Sequence, residues 1–374
     1  MRKKFSTLML SLIMIISLCS CTVSPSEHSV VSVEPNMVNI TQDPTRESID
    51  IPESSKFEVH FIDVGQADAT LLLCDDKTML IDGGNPDDSN LIVAYLKKLN
   101  IEHLDFLICS HAHDDHVGGI SGALSVATAG KVFAPKTEND IRSYINFKKK
   151  VSAQNLKIEN PLSGETFAFG RSKVLFLGPV HEATENLNNT SIMIKITYGN
   201  TSFLFTGDAE HEEELSVIEQ GYDLSADVLK VGHHGSSYST SYLFLRKIMP
   251  KYGVISVGKH NSYGHPSEQT ISRLNDADVA VYRTDLQGDI IFSSDGKNIS
   301  VKTQKNSTLS DEPADAQKQT TEPMKYIGNK NSMKFHYPKC SSVKAMKESN
   351  KIYFNCSRDE IISDGFIPCQ RCLP

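Results

Sequence analysis

The chain has 374 residues, of which 39% are hydrophobic, enough for one large core with a smaller unit beside it. Its formal net charge is −8. This acidic balance argues against a protein that binds nucleic acid through a broad basic surface. It leaves open a metal centre that accepts a phosphate ester, because metal ions supply their own positive charge.

The N-terminus has the pattern of an export signal. A basic start at residues 2–4 precedes an apolar run at residues 8–18, which is too short for a membrane-spanning helix. The run ends in "LCSC", which resembles the lipobox of bacterial lipoproteins. That resemblance implies a signal peptide over 1–21, cleavage before Cys21, a lipid on the Cys21 thiol and anchorage outside the cytoplasm on the bacterial cell membrane. The alternative is an ordinary signal peptide with chance cysteines.

A change of composition separates this signal from a folded domain. Residues 22–55 are rich in Ser, Pro, Thr, Asn and Glu, which predicts a flexible tether. Short apolar runs bounded by turn signals then predict strands, with helical spacing between some of them. The strand-like runs lie near 57–65, 70–74, 77–84, 104–109, 131–134, 173–177, 191–198, 202–206, 227–231, 253–257, 279–282 and 289–292, and the helical patterns near 89–99, 140–153, 210–219, 239–248 and 267–275. This mixture predicts one α/β (α+β) domain over 56–303.

The segment Ser110–Gly119, "SHAHDDHVGG", is dense in potential metal ligands and directly follows an apolar run. It fits the spacing H-x-H-x-D-H at His111, His113, Asp115 and His116. Imidazoles two residues apart on an extended loop can reach one metal ion, and the Asp-His pair can turn to a second. The alternative is a solvated polar loop that happens to be rich in histidine.

Other polar groups follow apolar runs in the same way. Asp82 follows "MLI", Asp208 follows "FLFTG", and His233 and His234 follow "VLKVG". Because loops at strand ends carry most functional sites, these groups predict one shared centre. Two neighbouring cations also need a bridging carboxylate from elsewhere in the chain, and Asp208 offers one.

These landmarks, in this order, resemble the metallo-β-lactamase-fold hydrolases over about residues 57–302. More narrowly, "HFIDVGQADATLL", "FTGD", "LKVGHHGS" and "GHPS" are similar to the extracytoplasmic hydrolase domain of ComEC-type competence proteins and their stand-alone relatives. The fold that this resemblance implies is a four-layer αββα sandwich, with the site at the edge between two sheets.

The resemblance also implies a role for each ligand. His111 and His113 would bind a first divalent metal, zinc or manganese. Asp115 and His116, with a late histidine, would bind a second one, and Asp208 would bridge the two. Asp208 or Asp115 would also take the proton of the attacking water.

The remaining roles concern residues around these ligands. The late histidine would be His234, with His233 as the alternative. Asp82 would accept a hydrogen bond from a ligand histidine without binding the metal, and Asp63 and Gln66 would orient ligands or substrate. His265, in "GHPS", would face the substrate.

One position departs from the wider family, which usually has a histidine between the H-x-H-x-D-H segment (here the His111–His116 ladder) and the bridging aspartate. No histidine occurs from 182 to 210, and Asn188 or Asn189 stands in that neighbourhood. This departure implies either a weaker first metal or a harder ion such as manganese at the first site, because amide oxygens suit hard cations.

The end of the chain is a separate problem. A second polar linker at 304–324 precedes a compact tail at 325–374. The tail contains a C-x-x-C pair and an upstream His and Cys, which can close a tetrahedral structural zinc site of His336, Cys340, Cys369 and Cys372. The rival interpretation is a pair of disulfides, which an exported protein permits.

The tail also resembles the zinc-binding domain of the Ada DNA-repair proteins over about 330–374, most specifically in "GFIPCQRCLP". In that family the first ligand is a cysteine, and His336 stands at its place here. Cys356 has no place in the four-ligand pattern. The exported, acidic chain gives no reason to carry over the methyl-accepting repair activity.

The function that follows is a surface-anchored metallohydrolase. The competence likeness favours a phosphodiester substrate, with DNA among the candidates. A phosphorylcholine-esterase-like or other ester hydrolase is the second version. A hypothesis of a different class is a non-catalytic DNA-capture lipoprotein with a lysine-rich, DNA-binding tail, which the intact ligand set disfavours. No protein partner is predicted.

Overall fold

The computed structural model describes residues 56–137, 139–181, 185–305, 326–356, 358–369 and 371–372. The predicted signal, the tether and nearly all of the linker lie outside the described residues. Within the described part of the chain, no helix combines the length and the apolar character needed to cross a bilayer.

Two sheets form the main domain. Their strands in chain order are β1 (Phe57–Phe61), β2 (Thr70–Cys74), β3 (Lys77–Ile81), β4 (His103–Ile108), β5 (Thr128–Phe133), β6 (Ile158–Glu159), β7 (Thr166–Phe169), β8 (Ser172–Gly178), β9 (Met193–Tyr198), β10 (Thr201–Phe205), β11 (Val228–Lys230), β12 (Tyr252–Ile255), β13 (Ala280–Arg283), β14 (Ile290–Ser294) and β15 (Ile299–Thr303). The eight-stranded sheet has the order β15-β14-β1-β2-β3-β4-β5-β6, and the seven-stranded sheet has the order β13-β12-β11-β10-β9-β8-β7.

Alternation along the strands builds the core between the sheets. In β1, Phe57, Val59 and Phe61 all face the opposite sheet, because side chains two residues apart share one face of a strand. The Phe57 ring centroid lies 5.3 Å from that of Tyr198 and 5.0 Å from that of Phe203, both of the other sheet. Each side chain buried in this way contributes about 1.5–3 kcal/mol through removal of apolar surface from water.

Helices cover the outer face of each sheet. They are α1 (Ser89–Lys98), α2 (Asp114–Val117), α3 (Ile120–Val126), α4 (Arg142–Ala153), α5 (His211–Glu219), α6 (Tyr242–Ile248), α7 (Glu268–Asp276) and α8 (Thr284–Gln287). Apolar side chains of α1, α3 and α4 pack on the eight-stranded sheet, and those of α5, α6 and α7 pack on the other. The predicted four-layer αββα sandwich is therefore confirmed.

Most predicted elements occur within a few residues of their expected bounds, and the misses have local causes. The pattern at 239–248 yields a helix only from Tyr242, because the Ser241 side chain accepts a hydrogen bond from the Phe244 N–H and caps it. The helix α3 was not predicted, because its sequence "ISGALSV" combines Ala and Leu with Gly, two Ser and two β-branched residues of weaker helix propensity. The edge strand β15, with its half-buried and exposed residues, gave too weak an apolar signal.

The C-terminal module has a small sheet of its own. Its elements are β16 (Tyr326–Asn329), β17 (Lys334–His336), α9 (Ser341–Lys344), β18 (Lys351–Phe354), α10 (Arg358–Ser363) and β19 (Ile367–Pro368). The strands have the order β18-β16-β17-β19. The chain therefore has the small C-terminal unit that its cysteine spacing suggested.

This module packs against α6 and α7 of the main domain. The Tyr242 ring of α6 meets Phe366 edge-on, with the ring centroids 5.4 Å apart. Beside it, a guanidinium nitrogen of Arg273 on α7 lies 3.0 Å from a carboxylate oxygen of Asp364, and both side chains are buried. Burial raises the pKa of Asp364 to about 6, against the opposing effect of Arg273. The sequence pattern did not reveal this contact.

Candidate metal centre

Four strand ends meet at one edge of the sandwich. β3 and β4 are parallel neighbours in one sheet, and β10 and β11 are parallel neighbours in the other. Parallel neighbours carry their carboxyl ends to the same edge, so the residues that follow them come together. Asp82 and the His111–His116 ladder follow the first pair, and Asp208 and the His233–His234 turn follow the second.

Paired glycines allow the turn after β3 to touch the ladder. The Gly83 N–H donates to the His116 carbonyl at 2.7 Å, and the Gly119 N–H donates to the Gly84 carbonyl at 3.2 Å. A Cβ atom on Gly119 would lie 2.0 Å from the Gly83 carbonyl oxygen. Only glycine permits this approach, which brings Asp82 against His116.

Four side chains place their ligand atoms within 4.8 Å of one another: Asp115, His116, Asp208 and His234. An Asp208 carboxylate oxygen lies 3.3 Å from His116 Nε2 and 3.6 Å from His234 Nε2. The other side of His234 Nε2 faces Asp115 Oδ2 at 3.3 Å. Asp208 thus lies between two imidazoles, where a bridging carboxylate would have to be.

His111 and His113 lie together on the ladder side of this group. His111 Nε2 and His113 Nδ1 are 3.0 Å apart, and the His111 ring centroid lies 4.1 Å from that of His116. Burial is the largest cause that lowers the pKa of both His111 and His113. The lowered pKa favours the neutral imidazole, the form in which histidine binds a metal.

Asp82 orients this cluster from behind. Its carboxylate accepts hydrogen bonds from the Ser110 N–H and hydroxyl, both at 2.7 Å, and lies 2.9 Å from His116 Nδ1. This contact presents His116 Nε2 to Asp208. Asp82 and Asp208 therefore contact opposite nitrogens of the His116 ring, an arrangement that would fix the ring for a metal.

The corresponding partner of His234 is Asp68, and not Asp63. His234 Nδ1 lies 3.3 Å from Asp68 Oδ1, and the buried Lys230 ammonium lies 2.8 Å from Asp68 Oδ2. Asp63, expected to orient ligands or substrate, instead accepts the Gly65 N–H and lies 3.6 Å from the Lys305 ammonium. Both aspartates belong to "IDVGQADA", and the pattern of the loop could not tell which one points inward.

Lys230 was also missed by the sequence analysis, although a signal was present. A single lysine in the apolar run "DVLKVG" must either end the strand or find a buried partner. Here it finds Asp68, which it neutralises beneath the metal centre.

His233 and His234 both lie in a strained turn. Their φ angles are 50° and 52°, in the left-handed region that non-glycine residues rarely adopt. The turn directs them differently: His234 is buried among Asp68, Asp115 and Asp208, whereas His233 Nε2 lies 3.7 Å from Asp208 and is partly exposed. This geometry favours His234 over His233 as the ligand.

The charges of the centre raise the pKa of two histidines. Burial alone would lower the pKa of His116 and His234, but the carboxylates around them reverse this effect. The pKa of His116 lies well above its ordinary value, chiefly because of Asp208 and Asp82, and that of His234 rises to about 10. The centre therefore favours positive charge strongly, whether from protons or from a cation.

The residues fit a divalent cation. His116 Nε2, His234 Nε2 and Asp208 Oδ1 are buried and have no hydrogen-bond partner of good geometry among the described residues. Buried polar atoms that lack partners are rare, and here several converge on one space. Their chemistry, imidazole nitrogen with carboxylate oxygen, suits zinc and manganese alike.

Asn188 and Asn189 stand in the region where the wider family usually has a histidine, and both contact Glu210. The Asn189 side-chain oxygen accepts the Glu210 N–H at 2.9 Å, and the Asn188 amide donates to the Glu210 carboxylate at 2.9 Å. The Asn188 oxygen is buried and has no partner among the described residues. Asn188 is therefore the one of the pair whose amide oxygen is available to a cation.

His265 lies at the open side of the centre. Its ring centroid is 5.6 Å from that of His233, and its Nδ1 atom is buried without a partner among the described residues. Burial is the largest cause, and His233 the next, that lowers the pKa of His265 to about 4. A neutral imidazole beside the ligands is compatible with the predicted contact to substrate.

A second ligand cluster lies in the C-terminal module. His336, Cys340, Cys369 and Cys372 place one ligand atom each within 4.8 Å of one another. Their thiols are free, and His336 Nδ1 is buried without a partner among the described residues. Three sulfurs and one imidazole in this arrangement are the donor set of a structural zinc site. Cys356 lies outside the cluster, as expected.

Comparison with known proteins agrees with this geometry. Residues 62–260, just over half of the chain, match the sequence profile of the Metallo-beta-lactamase superfamily. The chain is 31% identical over 264 residues to ComE operon protein 3 of Bacillus subtilis, covering 64% of this chain and 33% of that protein. It is 29% identical over 232 residues to competence protein ComA of Neisseria gonorrhoeae, covering 62% and 31%. The chain thus spans about a third of the length of the curated relatives it matches.

Among solved structures, the metallo-beta-lactamase fold protein YhfI from Bacillus subtilis is 16% identical, with a TM-score of 0.46. The similarity covers 64% of this chain and all of that one.

The contact between Asp82 and His116 should control metal affinity. Asp82→Asn keeps the size of the side chain but removes the charge that fixes His116. We expect metal affinity to fall about 10–100-fold, as for other residues that orient a ligand. Isothermal titration with Zn²⁺ and Mn²⁺ on the full-length protein measures this.

Asp105→Asn is the matched control, because Asp105 lies on β4 and pairs with Lys77 on the sheet. Equal affinities in Asp82→Asn and the unaltered protein would remove the proposed orienting role.

Proposed function

The chain belongs to the Metallo-beta-lactamase superfamily, and on that premise we propose that it is a membrane-anchored, extracytoplasmic phosphodiesterase of the ComEC-like subgroup that acts on DNA. The observation that carries the proposal is the coincidence of two features. Four potential metal ligands, Asp115, His116, Asp208 and His234, come together within the segment that is similar to two competence proteins and to recombination protein 2 of Haemophilus influenzae. One of these names refers to competence and one to recombination, and none refers to a carboxylic ester.

The ligands would hold two divalent cations, zinc or manganese. His111 and His113 would hold the first, Asp115, His116 and His234 the second, and Asp208 both. When bound, such cations make water a nucleophile near neutral pH and neutralise a phosphate's charge. An acidic chain can thus accept a polyanion without a basic groove, which answers the objection raised by its net charge.

The chain's own residues supply position and proton transfer. Asp208 is buried against His116 and His234, so its carboxylate is fixed where both cations would lie. Asp115 is the less buried of the two carboxylates, and its opening to solvent suits it to pass on the proton of the attacking water. His265 would meet the substrate at the open side.

Removal of the bridging carboxylate tests this function. In Asp208→Asn, two cations would face each other without a shared anion, so we expect phosphodiesterase activity to fall by at least about a thousandfold. The full-length protein is assayed on single-stranded DNA, on bis-p-nitrophenyl phosphate and on p-nitrophenyl acetate, with metal content measured in parallel.

Asp63→Asn is the control and should retain activity, because the Asp63 carboxylate contacts the Gly65 N–H and the Lys305 ammonium. Hydrolysis of the acetate ester alone would favour the ester hydrolase. Binding of DNA without hydrolysis of any substrate would favour the capture lipoprotein.

We propose further that the C-terminal module is an Ada-like domain that holds one structural zinc. The support is the set of three free thiols and one unpartnered imidazole, and the absence of any disulfide among the described cysteines. A sheet of short strands around a small core needs such a constraint to remain folded.

Loss of one thiolate should release this zinc. In Cys369→Ser, we expect the zinc content of the full-length protein to fall by about one equivalent and the module to become sensitive to protease. Cys356→Ser is the matched control, since Cys356 lies in the same module but outside the cluster. Unchanged zinc in Cys369→Ser, or a disulfide found by mass spectrometry, would contradict the zinc assignment.

The anchor is proposed from the lipobox-like "LCSC" alone. With Cys21 as the lipidated residue, Cys21→Ala should remain an uncleaved precursor or be released from the membrane fraction. Cell fractionation and the mass of the mature protein report this, with Cys19→Ala as the control. Normal processing and membrane retention of Cys21→Ala would exclude the lipid anchor.

A further inference from the structure

An exposed tyrosine continues the row of rings that leads out of the metal centre. The Tyr263 ring is stacked on His265, with 5.7 Å between the ring centroids and 27° between the ring planes. His265 in turn meets His233 at 5.6 Å, and His233 Nε2 lies 3.7 Å from Asp208. Tyr263 itself is 71% exposed. One face of its ring covers a residue of the site, and the ring is otherwise open to solvent.

Exposure alone would carry no meaning, since single exposed aromatic residues are common. Here, however, the loop that bears Tyr263 is held rigidly. The Asn261 side chain donates to the carbonyls of Gly258 and His265 and accepts from the N–H groups of Tyr263 and His265. Gln66 fixes the start of the loop by accepting the Gly258 N–H at 3.0 Å.

The same loop is tied to the ligand turn. Pro266, after His265, packs against Gly235, where a Cβ atom would lie 2.6 Å from Pro266 Cβ. The Ser267 N–H donates to the Gly235 carbonyl at 2.9 Å. The backbone that carries Tyr263 is therefore fixed relative to His234, and the stack on His265 orients the ring, so less conformational entropy is lost when a ligand contacts it.

From these contacts we propose that Tyr263 is a stacking platform for an unpaired nucleobase of the substrate, and that the substrate is single-stranded nucleic acid. The proposal rests on the phosphodiesterase function proposed above. A strand with one phosphate at the metal centre would bring a neighbouring base past His265 to Tyr263. In a duplex the faces of that base are covered by its neighbours, whereas in a single strand they are free to stack.

One cation of the same loop is consistent with this assignment. Lys259, in the same loop, is exposed and offers a cation to the backbone of the strand. Stacking on an aromatic ring tolerates any base, because every base has a π face. Tyr263 would thus contribute affinity without sequence preference.

Tyr263→Ala should weaken binding of substrate without touching the ligands. On single-stranded DNA we expect its KM to rise roughly 5- to 150-fold, the effect of one lost base–aromatic stack, with kcat nearly unchanged. Tyr263→Phe keeps the ring and should keep the KM of the unaltered protein. Full-length protein is used throughout.

A strand of the same length made only of abasic sites completes the test. The unaltered protein should show a raised KM on it, and Tyr263→Ala should add nothing further, because the base that would stack is already missing. An unchanged KM of Tyr263→Ala on DNA, or an equal rise on the abasic strand, overturns the stacking role alone. If the unaltered protein cleaves neither strand, the phosphodiesterase proposal fails as well.

Discussion

Buried negative charge at one edge of the sandwich is the constraint on which the rest of the site depends. Four carboxylates surround the buried imidazoles of His116 and His234. Asp82 contacts His116, Asp68 and Asp115 contact His234, and Asp208 contacts both. A buried carboxylate without a countercharge costs several kcal/mol. Lys230 neutralises Asp68, but the remaining charge must be balanced by protonated histidines or by bound cations. The arrangement that would activate water is therefore the same arrangement that makes this edge require a cation.

This concentration of charged side chains is accompanied by strain in the backbone. Asp82, His233 and His234 all have positive φ angles, each costing about 1–3 kcal/mol for a non-glycine residue. Such conformations persist only where neighbouring contacts fix them. For Asp82 these are the bonds from Ser110 and the contact with His116, and for His234 they are Asp68 and the Ser256 carbonyl at 3.0 Å. Strain and ligand orientation are thus maintained by the same hydrogen bonds.

How much of this site the sequence predicts depends on how far apart along the chain the interacting residues lie. The His111–His116 spacing is local, so it was visible in the sequence. Asp208 and His234 were visible as well, because each is a polar residue that comes shortly after an apolar, strand-like run. Packing between distant segments was not visible. Whether Asp68 or Asp63 points inward depends on where the eight-residue loop between β1 and β2 crosses Lys230, and nothing in the composition of the loop decides that. The fold was more predictable, because alternation such as that of Phe57, Val59 and Phe61 is written directly in the strand.

The same distinction explains why the position of the C-terminal module could not be foreseen. Arg273 lies in the helical pattern predicted near 267–275, which does not indicate its contacts. Its guanidinium donates to the carbonyls of Ser237 and Ser239, both at 2.8 Å, in the segment that follows the ligand turn. It also pairs with Asp364 of the module. Removing one partner of a buried ion pair leaves an uncompensated charge, which costs about 3–5 kcal/mol. The module therefore does more than end the chain, because its carboxylate completes the environment of the arginine that holds the segment after His233 and His234.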